Sequence, residues 1–184
     1  MKPNDLRPGK GVKIDGKLYV VVKTDHVKPG KGPAYVQAKF KDVITGSNIE
    51  KRFGSSDNIE EINLDRREME YLFSDGAGAT FMDLEDYDQM VISTDVLGDA
   101  MLYIIPNGKA TVMCYEGNPI TIELPASVEM TITETIPSVK GATATNQLKE
   151  ATCETGLKIR VPPFITEGEK IRVSTADGSY QSRA

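Results

Sequence analysis

Val12-Lys13-Ile14-Asp15-Gly16-Lys17-Leu18-Tyr19-Val20-Val21-Val22 reads as two β-strands joined by a two-residue turn. Val12 and Ile14, then Leu18, Val20 and Val22, alternate with other positions at the period of a pleated strand, and Asp-Gly suits a type I′ hairpin turn. A second hairpin follows at once. Its outgoing strand carries Ala34, Val36, Ala38 and Phe40 on one face, and its tip is Lys28-Pro29-Gly30-Lys31-Gly32-Pro33. Gly30 and Gly32 free the backbone beside Lys31 from Cβ clashes, while Pro29 and Pro33 fix φ on either side. The pattern presents one cation, Lys31, at the end of a paired β-arm.

Beyond the arm the chain keeps the same period. Met69-Glu70-Tyr71-Leu72-Phe73 leads to a turn at Ser74-Asp75-Gly76 and to Phe81-Met82; Ala110–Tyr115 and Ile120–Leu124 follow. Further on, Val128, Met130 and Ile132 alternate, then Leu157, Ile159 and Val161, then Ile171 and Val173. Only Leu84–Tyr103 has a helical look. Short strands separated by Gly-, Pro- and Asp-containing turns predict an all-β chain of three consecutive small barrels. Composition shifts place the modules at 1–64, 65–127 and 128–184. Modules of that size are marginal alone, so packing between neighbours is expected to support each.

The formal charge of −5 hides an asymmetry. Twelve basic residues stand against eight acidic in 1–64, three against twelve in 65–127, and seven against seven in 128–184. A basic first module suits a polyanionic partner, and an acidic second one faces away from phosphate or towards basic protein. Hydrophobic residues make up 39% and charged residues 27%, which puts the chain in the globular class. No apolar run approaches a membrane span, and Met1-Lys2-Pro3-Asn4-Asp5 has no secretory character, so a cytoplasmic protein without a membrane partner is expected. Cys114 and Cys153 are read as reduced, buried thiols.

Several chemistries are excluded. A phosphate-cradling loop requires Gly five residues before its Gly-Lys pair and Ser or Thr after the lysine; here Asp25 and Gly32 occupy those places. Asp83, Glu85, Asp86 and Asp88 lack the central Gly and closing Glu of a calcium loop and read as a solvated acidic loop. His26 is the one histidine, which leaves little material for a zinc site or a nucleophilic triad. A catalytic lysine usually has its pKa lowered by burial, which a glycine-rich tip does not provide unless a partner encloses it, so a Schiff-base role is not assigned to Lys31. No catalytic residue, metal or cofactor is assigned.

The tip together with Glu134-Thr135-Ile136-Pro137-Ser138-Val139-Lys140-Gly141-Ala142-Thr143-Ala144, Glu154-Thr155-Gly156-Leu157, Val161-Pro162-Pro163-Phe164-Ile165 and Gly178-Ser179-Tyr180-Gln181-Ser182-Arg183 resembles the bacterial elongation factor P family over essentially the whole chain. The resemblance implies an SH3-like (KOW-type) first domain and two OB-fold domains in an L-shaped, tRNA-like outline. It implies a monomeric translation elongation factor that binds the 70S ribosome between the peptidyl and exit sites, beside peptidyl-tRNA and ribosomal RNA. There it stimulates peptide-bond formation and relieves stalls at consecutive prolines, without being an enzyme. Lys31 aligns with the tip lysine that many members carry in extended form, which implies a lysine-modifying enzyme for those members. Tyr180, Arg183 and Lys140 are the RNA contacts the resemblance adds.

The chain departs from the family pattern at three places. Ser138 and Ala142 stand where members often have Gly and Asp. Gly98-Asp99-Ala100 keeps only the start of a Gly-Asp-Asn-Ala loop. Pro33 gives the tip a second proline, whose stiffening is expected to let unmodified Lys31 suffice. Two other classes are weighed: a paralogous elongation factor P-like protein, and a general OB-fold RNA-binding protein. The latter needs exposed aromatics, yet aromatics are 7% of the chain and Trp is absent.

Overall fold

Three antiparallel five-stranded sheets account for most of the computed structural model, which describes residues 1–137 and 147–184. The all-β expectation holds. Backbone contacts group the chain into two compact units: Met1–Arg67 with Ile92–Val96 and Val112–Ile122, and Glu68–Val91 with Leu97–Thr111 and Glu123–Ala184.

The first sheet comprises β1 (Gly11–Ile14), β2 (Lys17–Val27), β3 (Tyr35–Asp42), β4 (Asn48–Gly54) and β5 (Glu60–Ile62) in the order β4-β3-β2-β1-β5. Asp15 and Gly16 join β1 to β2 with φ of 51° and 78°, the two positive values a type I′ turn demands. Because Val12 pairs with Tyr19, cross-strand partners on one face are Val12, Tyr19 and, further along, Val21. On that face the core takes Tyr19 and Val21, while of the Leu18–Val20–Val22 set that alternation picks out, Val20 is buried as well and Leu18 is half-buried. A bulge between Val21 and Lys23 leaves Val22 45% exposed. Val36, Ala38 and Phe40 of β3 are buried as expected, and Tyr19 and Phe53 meet the Phe40 ring edge-on at 6.2 and 6.0 Å.

β6 (Asp65–Asp75), β7 (Gly78–Asp83), β8 (Gln89–Ile92), β9 (Lys109–Tyr115) and β10 (Asn118–Glu123) form the second sheet in the order β10-β9-β6-β7-β8. The predicted turn after Phe73 closes at Asp75 opposite Gly78, where Asp75 Oδ1 accepts the Ala77 N–H at 2.9 Å. Another bulge, between Tyr71 and Phe73, turns Phe73 out to 53% exposure.

The helical expectation for Leu84–Tyr103 requires correction. That stretch holds β8, a single turn of helix α1 (Thr94–Leu97) and a 3₁₀ segment at Gly98–Leu102. Its start is taken by a side-chain turn, with Asp83 Oδ1 accepting the Glu85 N–H at 2.7 Å and Asp83 N–H donating to the Asp88 carbonyl at 2.8 Å. Tyr87 in positive φ (64°) ends any helix there. Asp83 is itself buried, so the acidic loop is solvated only beyond it.

The third sheet runs β13-β12-β11-β14-β15, with β11 (Ser127–Thr135), β12 (Lys149–Cys153), β13 (Lys158–Val161), β14 (Lys170–Ser174) and β15 (Tyr180–Arg183). The alternating residues Met130, Ile132, Leu157, Ile159, Val161, Ile171 and Val173 all enter one core, and Val128 packs at its margin. Both cysteines are buried and outside any disulfide, and burial pushes the Cys153 thiol up to about 11.

Candidate functional site

The β2–β3 ladder ends at the pair Val27–Tyr35, so residues 28–34 form a loop beyond the last rung. Lys28, Gly30, Lys31, Gly32, Pro33 and Ala34 are exposed there, with Pro29 half-buried. Among the described residues Lys31 has neither an ion pair nor a hydrogen bond. Its ammonium is available to a ligand. Nearer the body, Lys23 is paired with Asp25 at 3.3 Å.

The two glycines differ. Gly32 has φ of +111°, a region closed to most L-residues, whereas Gly30 has no such angle and open space where a Cβ would stand. Gly32 makes the turn possible, and Gly30 keeps the approach to Lys31 uncluttered. At the loop's root lies a hollow of about 90 Å³ lined by Asn4, His26, Val27, Lys28, Ala34, Tyr35, Val36 and Ser55. Tyr35 is gripped from β4: the Arg52 guanidinium carbon sits 3.4 Å from the ring centroid. The sequence reading missed Tyr35 and Arg52, whose relation becomes visible only with the pairing of Gln37 to Arg52 and of Tyr35 to Gly54.

Of the three further RNA-contact candidates, Lys140 lies outside the described residues, together with Ser138 and Ala142. Tyr180 and Arg183 are brought to one face of β15, three residues apart, because a bulge sets them opposite Val173 and Ile171 respectively. Tyr180 is half-buried against the third core. Arg183 is exposed and engaged: its Nε donates to Glu169 Oε2 at 3.2 Å, and its guanidinium lies 4.6 Å from the Phe164 ring centroid. Gly98-Asp99-Ala100 opens the 3₁₀ segment, with Ala100 buried.

The described residues hold no cluster of three or more His, Cys, Asp or Glu side chains arranged for a metal ion. What the tip offers is a cation on a backbone of restricted freedom.

Comparison with known proteins bears on that reading. The elongation factor P KOW-like domain matches residues 2–59, the elongation factor P OB domain matches 64–122, and the elongation factor P C-terminal domain matches 128–183. The chain belongs to the elongation factor P family. Elongation factor P of Acidothermus cellulolyticus is 46% identical over 181 residues, spanning 98% of this chain and 97% of its own. Elongation factor P of Frankia casuarinae is 48% identical over 180 residues, with 98% and 96% covered, and that of Acidobacterium capsulatum 46% over 179, with 97% and 96%. Among solved structures, translation initiation factor 5A from Methanococcus jannaschii aligns over 67% of this chain and 93% of its own at 24% identity, with a TM-score of 0.44, and adds nothing to the assignment. Membership of the elongation factor P family makes this chain a translation factor, and the lysine loop lies within its KOW-like match. No helix among the described residues is long and apolar enough to cross a membrane.

Proposed function

We propose that this translation factor binds the 70S ribosome between the peptidyl and exit sites and relieves stalls at consecutive prolines by steadying the acceptor end of peptidyl-tRNA. The observation that carries the proposal is the free, exposed Lys31 held beyond the Val27–Tyr35 rung between Pro29 and Pro33. Proline reacts poorly in peptide-bond formation because its fixed φ holds the nascent chain in unproductive geometries. A cation set against the phosphates and riboses of the tRNA end contributes orientation, and well-oriented arrangements are worth up to about 7–11 kcal/mol in general. Only a fraction of that is needed. No acid, base or nucleophile is required of this chain, so the ribosome remains the catalyst and the protein acts as a cytoplasmic monomer and not as an enzyme.

In this reading the modules 1–64, 65–127 and 128–184 act as an SH3-like domain followed by two OB domains. The basic first module lies towards the acceptor stem and ribosomal RNA, where Lys28 and Lys31 neutralise phosphate charge. Tyr180 and Arg183 serve as RNA contacts of the third, Arg183 exchanging Glu169 for phosphate. Two prolines about the tip pre-organise it, so that unmodified Lys31 suffices and no lysine-modifying enzyme is required.

Translation of a reporter with and without a Pro-Pro-Pro stretch, in a reconstituted system supplied with the unmodified protein, tests this. Wild type should restore the proline reporter selectively, and Lys31→Ala should not. Ribosome binding without relief would overturn the claim that the unmodified lysine suffices; absence of ribosome binding would overturn the proposed site of action. Intact-mass analysis of the native protein adds a check, since a stoichiometric extension of Lys31 contradicts the unmodified tip.

A further inference from the structure

We infer that Arg52 and Tyr35 form the lock that orients the Lys31 loop, making Arg52 a positioning residue for the tip although it lies on a different strand. The inference rests on the function proposed above for Lys31, but its structural half can be tested without the ribosome.

Register leads to it. Tyr35 is the first residue of β3 and half of the last rung before the loop, opposite Val27 on β2 and Gly54 on β4. Whatever fixes Tyr35 fixes the point from which Pro33 and Ala34 depart. Gly54 brings no side chain to that rung. Arg52, two residues earlier on β4, pairs with Gln37 and so shares the face of Tyr35 as its diagonal neighbour, within reach of a long side chain. Its guanidinium carbon lies 3.4 Å from the centre of the Tyr35 ring, which is van der Waals contact of a planar cation with an aromatic face. Gly54 is held in turn, its N–H donating to Asp57 Oδ2 at 2.8 Å, so the end of β4 is closed immediately after Arg52.

The chemistry is specific. Among the described residues Arg52 has no carboxylate partner, so its charge is directed to the ring and not to an ion pair. A lysine at 52 would keep the charge and lose the flat contact. The lock joins β4 to the arm's last rung, so loop orientation becomes a property of β2, β3 and β4 together. Gly32, with its open backbone, would otherwise let the loop pivot.

The experiment compares wild type, Arg52→Ala, Arg52→Lys and Tyr35→Phe by two readouts. The first is the ¹⁵N heteronuclear NOE of the Gly30, Lys31 and Gly32 amides in the free protein. The second is the maximal rate of proline-stall relief at saturating protein, with ribosome affinity measured separately. Arg52→Ala and Arg52→Lys should both lower the NOE of all three amides and reduce the maximal rate about two- to fivefold with affinity unchanged, whereas Tyr35→Phe should match wild type. Unchanged loop amides in Arg52→Ala overturn the lock. If Arg52→Lys matches wild type while Arg52→Ala loses ribosome affinity, Arg52 is a phosphate contact and the inference also falls. If wild type itself relieves no stall, the proposed function fails, and the NOE comparison alone still decides the lock.

Discussion

Val27 and Tyr35 face each other across the last rung of the β2–β3 ladder, and the seven residues between them carry every feature that sets the Lys31 loop apart. No ladder hydrogen bond reaches past this pair, so the loop's order comes from local backbone restriction and from what grips the rung. The consequences for the loop can be separated from those for the fold.

Pro33→Ala should weaken stall relief while leaving the protein folded. A proline at a compatible position removes about 0.4–1 kcal/mol of chain freedom. Returning that freedom to a loop that must dock should raise the concentration for half-maximal stall relief about two- to fivefold. Denaturant melts should shift by no more than about 1 kcal/mol, because Pro33 lies outside the sheet. A loss of stability much larger than the loss of activity would contradict this.

Gly32→Ala and Gly30→Ala should part company. At Gly32 the positive φ of +111° imposes strain on any Cβ, of order 1–3 kcal/mol, which the loop relieves by re-routing Lys31. Gly30 has nothing within 4 Å of an added Cβ and no unfavourable angle. Stall relief by the first variant is expected to fall at least about tenfold, and the second should stay within about twofold of wild type. Equal losses would show that bulk beside Lys31, and not backbone angle, governs the site.

Asp42 closes the far end of β3 and gives the fold a pH dependence. Its Oδ1 accepts the Thr45 and Ile44 N–H groups at 3.0 and 2.8 Å, and these bonds hold its carboxyl below the usual carboxylate range. A depressed folded pKa gives stability that is fully present above the unfolded value and is lost as pH falls through the folded one. Asp42→Ala should therefore cost about 1 kcal/mol near neutral pH, the exposed Ile44 letting water replace part of what is lost. The difference from wild type in urea melts should shrink on acidification below pH 4. A difference that grew on acidification would refute the assignment.

Gly178 and Tyr103 make a testable pair in the second unit. A Cβ at Gly178 would stand 2.8 Å from the Tyr103 hydroxyl oxygen, and Gly178 has φ of +71°. Gly178→Ala should cost about 1–3 kcal/mol. In a Tyr103→Phe background the same change should cost less, because the hydroxyl is gone while the backbone term persists. Additive effects across the double-mutant cycle would mean that the clash relaxes freely.

Much of this was legible in the residues. Asp15-Gly16 dictated its own turn, the alternation at Val128, Met130 and Ile132 found the third core, and the tip residues declared a loop. Alternation failed at Val22 and Phe73, since a bulge inserts a residue and inverts the faces beyond it without any signature in hydrophobic period. Alternation also picks out Leu18 and Val20 without marking Tyr19 and Val21; Val20 is indeed buried, but only the pairing across the turn shows that Tyr19 and Val21 share the face of Val12. Leu84–Tyr103 looked helical through composition, but Asp83 and Tyr87 commit its start to a turn. The Arg52–Tyr35 contact spans strands, and no local pattern contains it.

The length of β2 has a cost for solution behaviour. Eleven residues carry the arm outward, while β1 accompanies it only to Val20 and loop bonds to Lys10 and Gly9 only to Val21. Past that point, among the described residues, no strand pairs with the outer side of β2, which leaves open backbone groups able to template another chain. The bulge at Val22 distorts this rim and the Lys23–Asp25 ion pair hydrates it, both of which work against edge-to-edge pairing along the arm. Replacing Lys23 and Asp25 together with threonine should increase concentration-dependent self-association over that of wild type in analytical ultracentrifugation; equal association of the two proteins would show that these charges do not guard the edge.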